Sequence, residues 1–214
     1  MRYYPAFLDL RERPCVVIGG GAVAERKAVS LLEAGAEVTV ISPDLTERLG
    51  ALAASGKILC RRKAFEERDL IGAFLAVAAT GQEELNRRIS ALCKAKNILV
   101  NVAHPPDEGS FIVPSCIERG DLIIAVSTAG ASPALSRKIR TELEQTYGPE
   151  YDLLLRKLAA LRKRLQSEVH DQQRRSQILH AVVDSDVIDL FREGKVHEAD
   201  ARISAIVSDA LKRE

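Results

Sequence analysis

Apolar and polar positions switch between two periods along the first half of the chain. Cys15–Ile18 is a short β-branched apolar run that ends in glycines, which predicts a strand entering a tight turn. From Ala22 to Ala34 the period lengthens: Val23, Ala24, Lys27, Ala28, Leu31 and Leu32 keep helical spacing until Gly35 stops it. Glu37–Ile41 predicts a second strand, closed by Ser42-Pro43-Asp44, and Leu45–Ser55 a second helix, ended by Gly56. Lys57–Arg62 reads as a third strand, Leu75–Ala79 as a buried fourth, Glu83–Lys96 as a helix and Leu99–Val102 as a fifth strand. Strands that alternate with helices on short connectors predict a parallel sheet covered on both faces, because parallel strands need crossover helices. The expected fold class is therefore α/β, a doubly wound domain over residues 1–113.

The pattern changes beyond that point. Ser110–Pro114 and Leu122–Ser127 are two further strand-like runs, separated by Ser115–Asp121. Ser132 is placed to cap a helix with Pro133 at its first position, and that helix, Ala134–Thr146, ends at Gly148-Pro149. From Tyr151 onward the spacing is helical throughout. Leu154, Leu158, Leu161, Leu165 and Val169 mark one apolar face, and a last helical pair flanks Gly194. This predicts two parts after the sheet, 114–150 and an all-helical 151–214.

Composition narrows the function classes. With 31 basic and 30 acidic residues the net charge is +1, too balanced for a protein that coats nucleic acid. No apolar run approaches the ~20 residues of a membrane span, and the first residues carry no apolar core of a signal peptide, so a cytoplasmic protein is expected. Cys15, Cys60, Cys93 and Cys116 are scattered, as are His104, His170, His180 and His197. That spacing predicts reduced cysteines and no resident metal.

The glycines carry the first chemical signal. Gly19-x-Gly21-x-x-Ala24 follows a strand, opens a helix and begins a β/α series. In this Rossmann-type setting one glycine permits the tight turn, the next lets main chain approach a diphosphate, and the small third residue lets helix pack on strand. The diphosphate would meet the N–H groups of the helix start, at Ala22 and Val23. The acid expected at the second strand end for the ribose is missing. Ser42, Pro43 and Asp44 occupy that place, and no arginine sits there to receive a 2′-phosphate, which favours NAD over NADP. Thr80, after the fourth strand, is placed on the adenine or ribose side.

Longer motifs name a family. Val17-Ile18-Gly19-Gly20-Gly21-x-Val23-Ala24-Glu25-Arg26-Lys27, Ala78-Ala79-Thr80, Asn101-Val102, Ser110-Phe111-Ile112-Val113-Pro114-Ser115 and Ala125-Val126-Ser127-Thr128-x-Gly130-x-Ser132-Pro133 resemble precorrin-2 dehydrogenase, the dehydrogenase/ferrochelatase module of siroheme synthase. The resemblance spans essentially the whole chain. It implies a Rossmann-type NAD domain, a dimerisation segment at 114–150 and a small helical domain, hence a homodimer. It implies oxidation of precorrin-2, a tetrapyrrole, to sirohydrochlorin by NAD, and in some members insertion of ferrous iron or cobalt. It adds Asn101 to the cofactor side and Ser115 to the substrate side.

The same resemblance implies an acid/base aspartate shortly after Asn101-Val102, and here the chain departs from it: His104 stands at that position. Histidine titrates near neutral pH, so His104 can take the role. Asp107 is the alternative if Pro105-Pro106 reshape the loop, and a third reading is that the position is not essential. A polycarboxylate substrate calls for cationic and hydroxyl partners. Thr128, Ser132, Arg137 and Lys138 are the candidates. The competing readings are a protein that only inserts metal and a non-catalytic NAD-sensing module.

Overall fold

Five short strands form one parallel sheet in the computed structural model, which describes residues 3–212. They are β1 (Pro14–Ile18), β2 (Glu37–Ile41), β3 (Leu59–Arg61), β4 (Leu75–Ala78) and β5 (Leu99–Val102), in the order β3-β2-β1-β4-β5. The connecting helices are α1 (Ala22–Glu33), α2 (Glu47–Ala54) and α3 (Glu83–Ala95). Side chains alternate between two cores. Cys15, Val17, Val38, Val40 and Val77 pack with Ala24, Ala28 and Leu49 of α1 and α2 on one face. Val16, Ile18, Ala76, Ala78 and Val100 pack with Ile89 and Cys93 of α3 on the other. Burial on both faces explains why these strands read as unbroken apolar runs.

Register aligns the strand ends. Ile18 pairs with Ile41 and with Ala78, and Ala78 pairs with Val102. Gly19, Ser42, Ala79 and Ala103 therefore leave the sheet in one row at its C-terminal edge. Strand order reverses between β1 and β4, the switch point where doubly wound sheets bind ligands.

The chain divides at Val113/Pro114 into two compact units. In the second, β6 (Ser115–Arg119) and β7 (Leu122–Val126) form an antiparallel hairpin, followed by α4 (Pro133–Thr146), α5 (Glu150–Glu168), α6 (Gln172–Val183), α7 (Val187–Arg192) and α8 (Val196–Lys212). Leu161 and Leu165 of α5 pack with Ile178, Val182 and Val207, and Leu154 with Val187, Phe191 and Ala199. Residues 114–150 cluster with these helices in the one unit.

One strand reading is corrected. Ser110–Pro114 forms no strand, and the ladder begins at Ser115, inside the stretch read as a connector. Ser110 lies along the edge of β5, where its N–H reaches the Val100 carbonyl at 2.8 Å and its Oγ accepts from the Val100 N–H at 2.8 Å. A serine hydroxyl and a single main-chain bond take the place of a ladder, and Pro114 has no N–H to extend it.

Candidate functional site

The glycine run sits where the row of strand ends meets α1. Gly19 has φ +125°, and a methyl group there would lie 2.3 Å from the Ala79 carbonyl oxygen, so β1 and β4 close together only around glycine. Gly20 packs on the turn after β2, its carbonyl accepting from Thr46 N–H at 2.9 Å. Gly21 is the N-cap of α1, and no side chain caps it. A methyl on Gly21 would meet nothing within 4 Å. The helix start, with its positive dipole end and uncapped N–H groups, thus opens on free space. Ala22 and Val23 are exposed beside it, as are Pro43 and Asp44, while Ser42 is buried. The fold brings all of these cofactor candidates together, and the open helix start fits a dinucleotide diphosphate.

A second group forms at the ends of β4 and β5. Thr80 N–H and hydroxyl both donate to Asn86 Oδ1, at 3.1 and 2.7 Å. Asn86 Nδ2 donates to the carbonyls of Thr80 at 3.2 Å and His104 at 3.0 Å. The His104 side chain is 76% exposed, with Nε2 3.6 Å from Glu83 Oε2 at the start of α3. Asp107 lies in a short 3-10 turn, Pro106–Glu108, and is exposed. The two base candidates share one loop, and His104 has the Glu83 carboxylate beside it.

Asn101, on β5, is the third element. Its Nδ2 donates to the Phe111 carbonyl at 3.1 Å, while the buried Oδ1 has no hydrogen-bond partner. Because the amide must offer nitrogen to that carbonyl, Oδ1 is left as an unpaired acceptor, which suits a donor such as a carboxamide N–H.

The substrate candidates all belong to the second unit. Ser115 starts β6 and is half-buried. Thr128 and Ser132 are engaged locally. Thr128 Oγ1 accepts from Ser132 N–H at 3.0 Å and lies 3.1 Å from Ser136 Oγ, and Ser132 Oγ caps α4 by accepting from Leu135 N–H at 3.2 Å. Arg137 and Lys138 are exposed on α4, with Lys138 3.8 Å from Glu142.

Two residues escaped the sequence reading, Asn86 and Ser90, although both carried a usable signal. On α3 the buried positions are Asn86, Ile89, Ser90 and Cys93, so two polar residues occupy apolar-stripe positions. Among the described residues no group of three or more His, Cys, Asp or Glu could hold a metal ion, and no helix is long and apolar enough to cross a membrane.

Comparison with known proteins agrees with this geometry. Residues 6–115 match a family model for NAD(P)-binding proteins, and 119–146 match the model described as sirohaem biosynthesis protein central. The chain is 37% identical over all its 214 residues to a siroheme synthase of Nitrosococcus oceani, covering 46% of that protein. A siroheme synthase of Methylobacillus flagellatus is 41% identical over 175 residues, 82% of this chain and 38% of the relative. The chain thus spans less than half the length of these curated relatives. A solved precorrin-2 dehydrogenase, SirC, superposes with a TM-score of 0.75 at 28% identity, over 95% of this chain and 100% of that one. With the sheet, its glycine cradle and residues 6–115 all accounted for by one family model, the chain belongs to the NAD(P)-binding family.

Proposed function

We propose that this chain oxidises precorrin-2 to sirohydrochlorin with NAD, with His104 receiving the proton. One observation carries the reading: the cradle of Gly19–Gly21 and the His104 loop leave the same C-terminal row of the sheet. The siroheme synthase and precorrin-2 dehydrogenase relatives supply the substrate class.

When bound, the nicotinamide supplies the hydride acceptor. The chain's own residues then have three tasks. The α1 start and Gly21 hold diphosphate on main-chain N–H groups. Asn101 Oδ1 offers an acceptor to the carboxamide. His104 takes the proton that leaves the macrocycle as the hydride departs, so the substrate loses one hydride and one proton in all. Glu83 Oε2, 3.6 Å from His104 Nε2, then faces the cationic ring. The preference for NAD over NADP is supported by Asp44, a carboxylate a little past the β2 end, and by Arg61, whose guanidinium is held 3.1 Å from Asp69.

In the second unit, Arg137, Lys138 and Ser115 are the proposed partners of substrate carboxylates. Ile123 and Ala125 are exposed on β7, an apolar strand face that suits a homodimer. The four free cysteines fit a reducing, cytoplasmic setting.

The test is reduction of NAD or NADP, to NADH or NADPH, by precorrin-2, on wild type and His104→Ala. Oxidation with NAD, poor use of NADP and a kcat loss of about 100-fold or more in the variant are expected. Full activity in His104→Ala at saturating substrate removes that residue from the chemistry. Arms with ferrous iron or cobalt read metal insertion. Insertion into sirohydrochlorin without any NAD-dependent oxidation would replace the dehydrogenase reading by a chelatase.

A further inference from the structure

α3 carries two polar side chains, Asn86 and Ser90, each only 1% exposed and one helical turn apart. Their neighbours on that face, Ile89 and Cys93, belong to an apolar core. A polar group is stable in such a place only when its hydrogen bonds are made. All those of Asn86 run to the strand-end turns: Oδ1 to the N–H and hydroxyl of Thr80, Nδ2 to the carbonyls of Thr80 and His104. Ser90 Oγ donates to the Glu108 carbonyl at 2.5 Å. One helix face therefore grips the turn after β4 and both ends of the loop 104–108.

Main-chain bonds hold the loop at its flanks, Ala103 N–H to the Ala78 carbonyl at 2.9 Å and Ser110 N–H to the Val100 carbonyl at 2.8 Å, and among the described residues the other ties to 104–108 are weaker. Arg87 and Lys94 approach the Glu108 carboxylate only at 3.8 and 3.9 Å, and these exposed pairs add little. The loop's own turn closes with long bonds, Glu108 N–H to Pro105 and Gly109 N–H to Pro106, both 3.3 Å.

We propose that Asn86 and Ser90 are positioning residues for the oxidation: they hold the His104 main chain in fixed register with the Thr80 turn, and so set the imidazole against the cofactor side of the crevice. The proposal rests on the reading of His104 as proton acceptor. Ser90 steers only the loop. Asn86 steers the loop and Thr80 together, so the two residues have different signatures. Reaction rates respond steeply to placement, with losses on the order of 100-fold for 1 Å.

The experiment uses the full chain with three single variants, Ser90→Ala, Asn86→Ala and His104→Ala, and the two doubles with His104→Ala. Each is checked for a folded circular dichroism spectrum. Ser90→Ala keeps a clean test available if Asn86→Ala does not fold. The expected result for Ser90→Ala is a kcat about tenfold lower, with NADH affinity and KM for precorrin-2 unchanged. Amide exchange at Glu108 and Gly109 should be about tenfold faster, the equivalent of one net hydrogen bond. Asn86→Ala should lower kcat and weaken NADH binding as well. In the His104→Ala background the kcat effects of both should vanish while the NADH effect of Asn86→Ala persists. Full additivity with His104→Ala, or unchanged exchange at Glu108 and Gly109 in Ser90→Ala, overturns the proposal. If His104→Ala alone keeps wild-type kcat, the base assignment fails instead. The exchange data then decide separately whether α3 holds the loop.

Discussion

A methyl group on Gly20 would lie 1.8 Å from the carbonyl oxygen of Asp44, whereas one on its neighbour Gly21 would touch nothing. Adjacent glycines thus answer different demands. Gly20 lets the turn after β2 seat on the cradle, and Gly21 leaves the α1 start open. Gly20→Ala must push main chain aside and should cost about 1–3 kcal/mol or more in urea unfolding. Gly21→Ala, at φ −85°, should leave the unfolding midpoint alone. It should weaken NADH by about tenfold or more, 1.4 kcal/mol, by placing a methyl where the diphosphate approaches. NADH titrations decide: wild-type affinity in Gly21→Ala would put the diphosphate elsewhere.

Asp69 gives a pH-dependent test of the first unit. Its buried carboxyl accepts from Lys63 Nζ at 2.8 Å, Arg61 at 3.1 Å and Glu66 N–H at 2.9 Å. Burial, the largest single influence, pushes the carboxyl up, but these bonds and the Lys63 charge together hold it below the usual carboxylate range. The ionised form is therefore the one the fold favours. Its contribution is complete above about pH 4, the value for an unfolded chain, and is lost as pH falls through the lower folded value. Asp69→Asn should cost about 1.5–3 kcal/mol at pH 7, as for a bond to a charged group. The gap between variant and wild type should shrink at the acid end. Urea unfolding at pH 7 and through the acid range checks this, and an equal gap at every pH would refute it.

These residues also show where sequence stops informing. The sheet was legible because parallel strands covered on both faces must be apolar throughout, as in Val16-Val17-Ile18 and Leu75–Ala78. The hairpin was half legible. Its first strand, Ser115-Cys116-Ile117-Glu118-Arg119, buries only Ile117, so it carries no apolar signature, while the non-strand Ser110–Pro114 does. The cradle was legible as a motif, but Gly20's partner Asp44 lies beyond a whole helix and a strand, α1 and β2. Asn86 and His104 are eighteen positions apart, and no periodicity encodes such a pair. Only the polar interruption of the α3 stripe hinted at it.

The hydroxyls of the second unit separate a structural from a substrate role. Ser132 caps α4, and Thr128 Oγ1 lies between Ser132 and Ser136. Ser132→Ala should cost about 1 kcal/mol, the usual value of an N-cap. If the hydroxyl only caps the helix, KM for precorrin-2 will not move. Arg137→Ala should do the reverse, raising KM while leaving stability within about 0.5 kcal/mol, as exposed substitutions do. Steady-state kinetics beside urea unfolding separates them, and a raised KM in Ser132→Ala at unchanged stability would give that serine to the substrate.

Cys15 and Cys93 report on the two faces of the sheet separately, since each is sealed in a different core. Burial pushes both thiols up to about 11. The protonated thiol is the form the fold favours, so its contribution is complete below about pH 8.5 and is lost as pH rises toward the folded value. Because the thiolate is the nucleophile, native protein at pH 8 should react with iodoacetamide at the half-buried Cys60 and Cys116 first. Cys15 and Cys93 should follow only as the cores open, and peptide mapping reads the order. Cys93 lies on α3 with Asn86 and Ser90, whereas Cys15 does not. Loosening α3 from the loop by Asn86→Ala should therefore speed modification of Cys93 and leave Cys15 protected. Equal acceleration at both would mean that the substitution destabilises the whole sheet, and prompt native-state alkylation of either in wild type would show that its core is not closed.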